Sequence, residues 1–159
     1  MTLPDICTTL WFDRDGHAAA AFYCSLFEDA AIVDTVDHVT EDGSRPPPFM
    51  TRFHIRGQHY AALNGGPHYA LTPACSISVT VDRQHDIDRL WQALLADGGS
   101  EMRCGWLTDR FGLSWQILPQ QLTDLMRQTD RAAAGRVMAA MMQMVKLDIA
   151  GLEAASRGA

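Results

Sequence analysis

The chain has 159 residues, 47% of them apolar and 20% charged, which suits one domain with a sizeable core, or two half-size modules, and excludes a disordered chain. A net charge of -6 at pH 7, with no basic run, argues against nucleic acid as a partner, because phosphate binding depends on clustered Lys and Arg. No segment approaches the roughly 20 apolar residues of a membrane span, and the first residues lack a signal peptide's positive flank and apolar core, so a cytoplasmic protein without membrane contact is expected.

In chain order, Ile6 to Phe12 reads as a strand, ended by Asp13-Arg14-Asp15-Gly16. His17 to Phe27 is alanine-rich, with Ala18, Phe22, Ser25 and Leu26 at helical spacing. Ala31 to Val39, rich in Ile and Val, predicts a strand, and Glu41 to Pro48, with three consecutive prolines, a mobile loop that cannot join a sheet ladder. Phe49 to Ile55 and Gln58 to Asn64 form two strands around Arg56-Gly57, a tight hairpin with Gly supplying a positive φ. The first half is thus βαβββ.

After Gly65-Gly66-Pro67 the order repeats. Cys75 to Asp82 alternates Ser76, Ser78 and Thr80 with Ile77, Val79 and Val81, the period of a strand between a core and a polar environment. His85 to Ala96 is a helix with Ile87, Leu90, Trp91 and Leu94 on one stripe and Gly98-Gly99 as its stop. With a weak strand near Ser100, then Glu101 to Asp109 and Leu113 to Leu118 joined through Asp109-Arg110-Phe111-Gly112, the second half is again βαβββ. From Gln120 to Gly158 there is no proline, and Met and Ala abound. Apolar faces at Leu122, Leu125 and Met126, at Val137, Met138, Met141 and Met142, and at Val145, Ile149 and Leu152 predict a C-terminal helical extension. The expected organisation is paired modules over 1–119 (about 6–66 and 74–119) and an extension over 120–159, in an α+β fold.

The segments CTTLWFD, GQHYAALNGGP, CGWLTDRFGLSWQILP and RVMAAMMQMVKLDIAGLEAA, in that order from Ile6 to Ala155, resemble the vicinal oxygen chelate (glyoxalase/bleomycin-resistance) superfamily. Within it they are similar to the PhnB-like branch, often labelled 3-demethylubiquinone-9 3-methyltransferase. The resemblance implies paired βαβββ modules in a glyoxalase-like barrel, commonly a homodimer, around a small-molecule cavity. It also implies a divalent metal held by one His or Glu from each of four strands. The counterparts here are Cys7 (or Thr8, depending on how the Asp13 to Gly16 turn aligns), Asn64, Ser76 and Gln116. One thiol and three neutral oxygens make a poor divalent site, so no metal is expected. Nor is methyl transfer from S-adenosylmethionine, because neither Gly65-Gly66 nor Gly98-Gly99 lies between a strand and a helix, so no cofactor is expected.

Alternation places Cys7, Thr9 and Trp11 on one face, Ser76, Ser78 and Thr80 on another, and pairs Ser114 with Gln116 and Cys104 with Trp106. Together with Asn64, and with His68 at the mouth, these make a neutral lining with aromatic walls, suited to a small, partly apolar ligand. Trp11, Trp106 and Trp115 could equally fill the interior. His54 and His59 should face each other across the hairpin, Asp109 should bond its own backbone, and Arg110 should be solvated. The four cysteines, Cys7, Cys24, Cys75 and Cys104, read as free thiols. The expected function is metal-independent binding of a small molecule by a homodimer. The alternatives are a metal-assisted lyase, isomerase or dioxygenase using Gln116, Asn64 and Ser76, and an interaction protein acting through its C-terminal helices.

Overall fold

The computed structural model describes residues 6–38, 40–41 and 43–158. The chain divides into two compact units, Met1–Leu71 and Thr72–Ala159. The first contains strand β1 (Thr8–Phe12), helix α1 (Gly16–Ser25) and strands β2 (Ala30–Val36), β3 (Met50–Ile55) and β4 (Gln58–Asn64). They form one sheet of order β1-β4-β3-β2, in which β1 runs parallel to β4 and the other pairs are antiparallel. The β2 strand stops at Val36, and Val39, expected to end it, lies outside the described residues.

The alanines of α1 allow it to lie close on the sheet. Ala19, Ala20 and Tyr23 are buried on its inner side, and Leu10, Phe12, Phe53 and Ile55 on the strands. Tyr23 and Phe53 meet with ring centroids 6.2 Å apart, and Phe53 stacks on Tyr60 at 5.2 Å. The hairpin between β3 and β4 has the expected register, including His54 opposite His59. Both of its turn residues are left-handed, Arg56 (φ 47°) as well as Gly57 (φ 77°), the conformation whose twist matches that of the flanking strands.

The second unit repeats the plan with strand β5 (Ser76–Val81), helix α2 (Gln84–Leu95) and strands β6 (Ser100–Glu101), β7 (Trp106–Thr108) and β8 (Ser114–Pro119). Its order, β5-β8-β7-β6, is the same permutation. Ile87, Leu90, Trp91 and Leu94 are the buried stripe of α2, as their spacing predicts.

The strand expected over Glu101 to Asp109 is broken between β6 and β7. Cys104 (φ 62°) and Gly105 (φ 79°) are left-handed, and their N–H groups donate to Met144 O and Val145 O, each at 2.8 Å. The ladder yields there because the chain beyond residue 143 takes its donors. A Cβ on Gly105 would lie 2.9 Å from Ile117 O and 3.0 Å from a Leu147 methyl. Gly105→Ala therefore combines a positive φ with backbone crowding, and should lower the thermal midpoint by several degrees, corresponding to about 1–3 kcal/mol, in a calorimetric melt.

The C-terminal segment consists of three helices, α3 (Gln120–Arg127), α4 (Arg131–Gln143) and α5 (Ile149–Arg157). The breaks are set by Asp caps that hydrophobic spacing does not reveal: Asp130 accepts from Ala132 N and Ala133 N, and Asp148 from Gly151 N. Leu122, Val137, Leu147 and Leu152 form their core, with Leu125, Met126, Met141 and Met144 packed against it. Gln84 of α2 clamps the segment, accepting from Ile149 N at 2.9 Å and donating to Leu147 O at 3.1 Å. Met138, Met142 and Val145 remain exposed. No helix among the described residues is long and apolar enough to cross a membrane.

Candidate functional site

Each sheet has one face against its helix and one face away from it. Cross-strand register fixes which residues share the second face, since bridge partners point the same way. In the first sheet three rows result. Trp11, Leu63, Met50 and Val36 form an apolar row, Thr9, Ala61, Arg52 and Asp34 a polar one, and His59, His54 and Ala31 a third. In the second sheet Ser76, Ser114, Thr108 and Ser100 form one row, and Ser78, Gln116 and Trp106 the next.

Trp11 is tightly placed. Its indole Nε1 donates to Gly66 O at 2.9 Å, and Tyr69 meets the ring edge-on at 5.0 Å. A Cβ on Gly65 would lie 2.2 Å from the Trp11 ring, so the Gly-Gly bend is needed for the ring to lie against the backbone. On the other sheet Gln116 Nε2 donates to Ser76 Oγ at 2.8 Å, while Ser114 Oγ is buried without a hydrogen-bond partner. Thr9 and Ser78 are exposed and Trp106 half-buried on the faces their alternation predicts.

Three positions differ from expectation. Asn64 points toward the helix: its Oδ1 accepts from Gly16 N and its Nδ2 donates to Pro48 O, each at 2.8 Å. Strand register puts it on the side of Phe12, its partner, where it caps α1, whose N-cap residue Asp15 makes no side-chain capping bond. Cys104 does not share a strand face with Trp106, since the left-handed backbone turns its Sγ toward Met142 Sδ at 3.7 Å. Cys7 lies before β1 and is exposed. His68 is exposed, and its neighbour Tyr69 is the residue that reaches Trp11.

Trp115 belongs to the interior. It is fully buried and donates from Nε1 to Asp109 Oδ2 at 2.8 Å. Asp109 Oδ1 accepts from Phe111 N and Leu113 N, the turn-capping role its position implies. Arg110 is paired with Asp97 at 2.7 Å rather than solvated.

The sequence reading overlooked Arg52 and Asp34. Arg52 Nε donates to Asp34 Oδ1 at 2.7 Å, and Nη2 to Oδ2, and the guanidinium holds the Asp34 carboxyl below its ordinary range. The signal lay in Thr51-Arg52-Phe53, whose alternation puts Arg52 opposite the core residues.

The donor set does not fit the superfamily's divalent metal. Asn64 is engaged on the helix side, Gln116 and Ser76 bond each other, and among the described residues no three His, Cys, Asp or Glu side chains come together. S-adenosylmethionine fares no better. The turn between β1 and α1, Asp13-Arg14-Asp15, holds no glycine, with Gly16 the first residue of the helix, and that between β5 and α2 holds none either.

Residues 4–118 match the family model described as 3-demethylubiquinone-9 3-methyltransferase. The chain belongs to this family. It is thereby a PhnB-like member of the vicinal oxygen chelate superfamily. The match ends at residue 118, so the C-terminal block expected to share in the resemblance lies outside it. A PhnB protein from Bacillus cereus, described by the same methyltransferase name, is 27% identical with a TM-score of 0.65, covering 73% of this chain and 99% of its own. A Pseudomonas aeruginosa protein is 21% identical with a TM-score of 0.60, covering 74% of this chain and 98% of its own. The fosfomycin resistance protein FosX from Mesorhizobium loti shares the fold at 18% identity and a TM-score of 0.55, covering 80% of this chain and 100% of its own. No curated protein matches the sequence. The α+β fold of two βαβββ modules is that of glyoxalase-like proteins.

Proposed function

We propose that this PhnB-like chain is a cytoplasmic, metal-independent small-molecule-binding protein whose ligand lies on the face of the first sheet turned away from α1. The observation that carries this reading is the fixed Trp11 indole, bonded to Gly66 O and flanked by Tyr69, at the end of an apolar row. A rigid aromatic surface beside hydrogen-bonding groups is the chemistry of a pocket for a partly apolar ligand. Thr9 supplies a neutral hydroxyl on the same face; the second sheet, taken by itself, carries Ser76, Ser78, Trp106 and Gln116 on its own face away from α2.

Titration with the neutral fluorophore N-phenylnaphthylamine tests this directly. Saturable binding should survive excess chelator, and Trp11→Leu should weaken it by roughly fivefold to tenfold, the worth of one aromatic contact. Metal analysis of protein purified without added metal should find less than stoichiometric transition metal. A stoichiometric metal, or binding abolished by chelator, would contradict the proposal.

The homodimer belongs to the same proposal. Met138, Met142 and Val145 are 46%, 49% and 39% exposed around the end of α4, an apolar group that a partner chain would cover. Light scattering should give twice the 17.6 kDa chain mass, and Met142→Glu should shift it toward the monomer. A monomeric wild type would remove this part of the proposal.

A further inference from the structure

Arg52 is the one Lys or Arg in any of the eight strands among the described residues, in a chain of net charge -6. It sits on an inner strand, with Asp34 beyond it on the edge strand β2. As a stability device the pair achieves little, because ion pairs exposed to this degree contribute next to nothing. A guanidinium held along its Nε–Nη2 edge by a carboxylate is, however, fixed in direction, and its charge-assisted N–H chemistry suits the acidic group of a ligand.

The row supplies the rest of the site. Toward the other edge of the sheet Arg52 is followed by Ala61, too short to stand between it and Thr9, and then by Thr9. Thr9 and Arg52 thus flank Ala61 from adjacent strands on either side, about 10 Å apart at the backbone. The parallel row, two residues along, holds Trp11, Leu63 and Met50, roughly 7 Å away. A ligand whose apolar body rests on that row meets Arg52 before it meets Asp34, which is separated from Trp11 by three strands' width and by the guanidinium itself.

We infer that the ligand of this face is an amphipathic anion, an apolar or aromatic body bearing one carboxylate, sulfonate or phosphonate, and that Arg52 with Thr9 determines the preference for the anion. The inference rests on the proposed binding face. Arg52 recognises the acidic group, and Asp34 positions the guanidinium while opposing the ligand's charge.

Two fluorophores with the same ring system separate this inference from the binding proposal: anionic anilinonaphthalene sulfonate and neutral N-phenylnaphthylamine. Wild type should bind the sulfonate more tightly. Arg52→Gln should weaken sulfonate binding by about tenfold and leave the neutral dye unchanged, the loss expected for one charge-assisted contact. Asp34→Asn should tighten the sulfonate by roughly threefold. The double variant Arg52→Gln/Asp34→Asn, which removes both charges, should still lack the sulfonate preference. Arg52→Lys should retain part of it, and its circular dichroism and melting point control for folding. Trp11→Leu should weaken both dyes. If Arg52→Gln keeps the wild-type ratio of affinities while Trp11→Leu weakens both, the inference fails and the binding face stands. If neither dye responds to Trp11→Leu, the binding face fails, and the inference with it.

Discussion

Trp115→Ala should destabilise the second unit by about 3–5 kcal/mol, measured as a lowered urea midpoint in circular dichroism. The side chain is fully buried on β8, on the side of the sheet that carries α2 and next to Ile117's row rather than Gln116's. Removing it opens a cavity in a close-packed interior. It also removes the indole donor, 2.8 Å from Asp109 Oδ2, from a carboxylate whose other oxygen orders the turn through Phe111 N and Leu113 N. Trp115→Phe keeps most of the volume and loses the donor, so it should cost about 1–3 kcal/mol. Equal stability of Trp115→Phe and wild type would show that the carboxylate does not depend on the indole.

Asn64→Ala should cost about 2–3 kcal/mol in the first unit. One side chain serves two elements: its carbonyl caps α1 at Gly16 N, and its amide ties β4 to Pro48 O. The helix has no substitute cap, since Asp15 makes no capping bond. In the wild type the cap also holds position 16 to glycine, because a Cβ there would lie 2.8 Å from Asn64 Oδ1. Asn64→Asp preserves the acceptor and loses the donor, and should fall between alanine and wild type. If Asn64→Ala instead left stability intact and weakened N-phenylnaphthylamine binding, Asn64 would return to the ligand face.

These two residues show how far the sequence can be read. Element order and pairing were legible because period-2 alternation at Ser76 to Val81 and the 3.6-residue stripe of Ile87, Leu90, Trp91 and Leu94 report burial directly. Alternation also identified the face of Thr9, Trp11, Ser78 and Gln116. The same alternation puts Asn64 on the helix side with Tyr60 and Ala62, opposite Trp11 and Leu63; its place in the lining came from the family's ligand positions, not from the strand's period. What alternation could not place is Cys104, where a non-glycine residue adopts a positive φ because Met144 and Val145 accept the neighbouring N–H groups. The three-helix division of the C-terminal segment was written in Asp130 and Asp148, but apolar spacing runs through both breaks. Arg52 was legible by the same alternation.

The measurement that bears most directly on the binding face is chemical-shift mapping by NMR with N-phenylnaphthylamine added to metal-free protein. Perturbed resonances should cluster on Thr9, Trp11, Met50, Leu63 and the Trp11 indole N–H, whose partner is Gly66 O, and should leave the helix-side Phe53 and Tyr23 unmoved. Perturbation centred on the helix sides of the sheets, or appearing only after a divalent metal is supplied, would contradict the account.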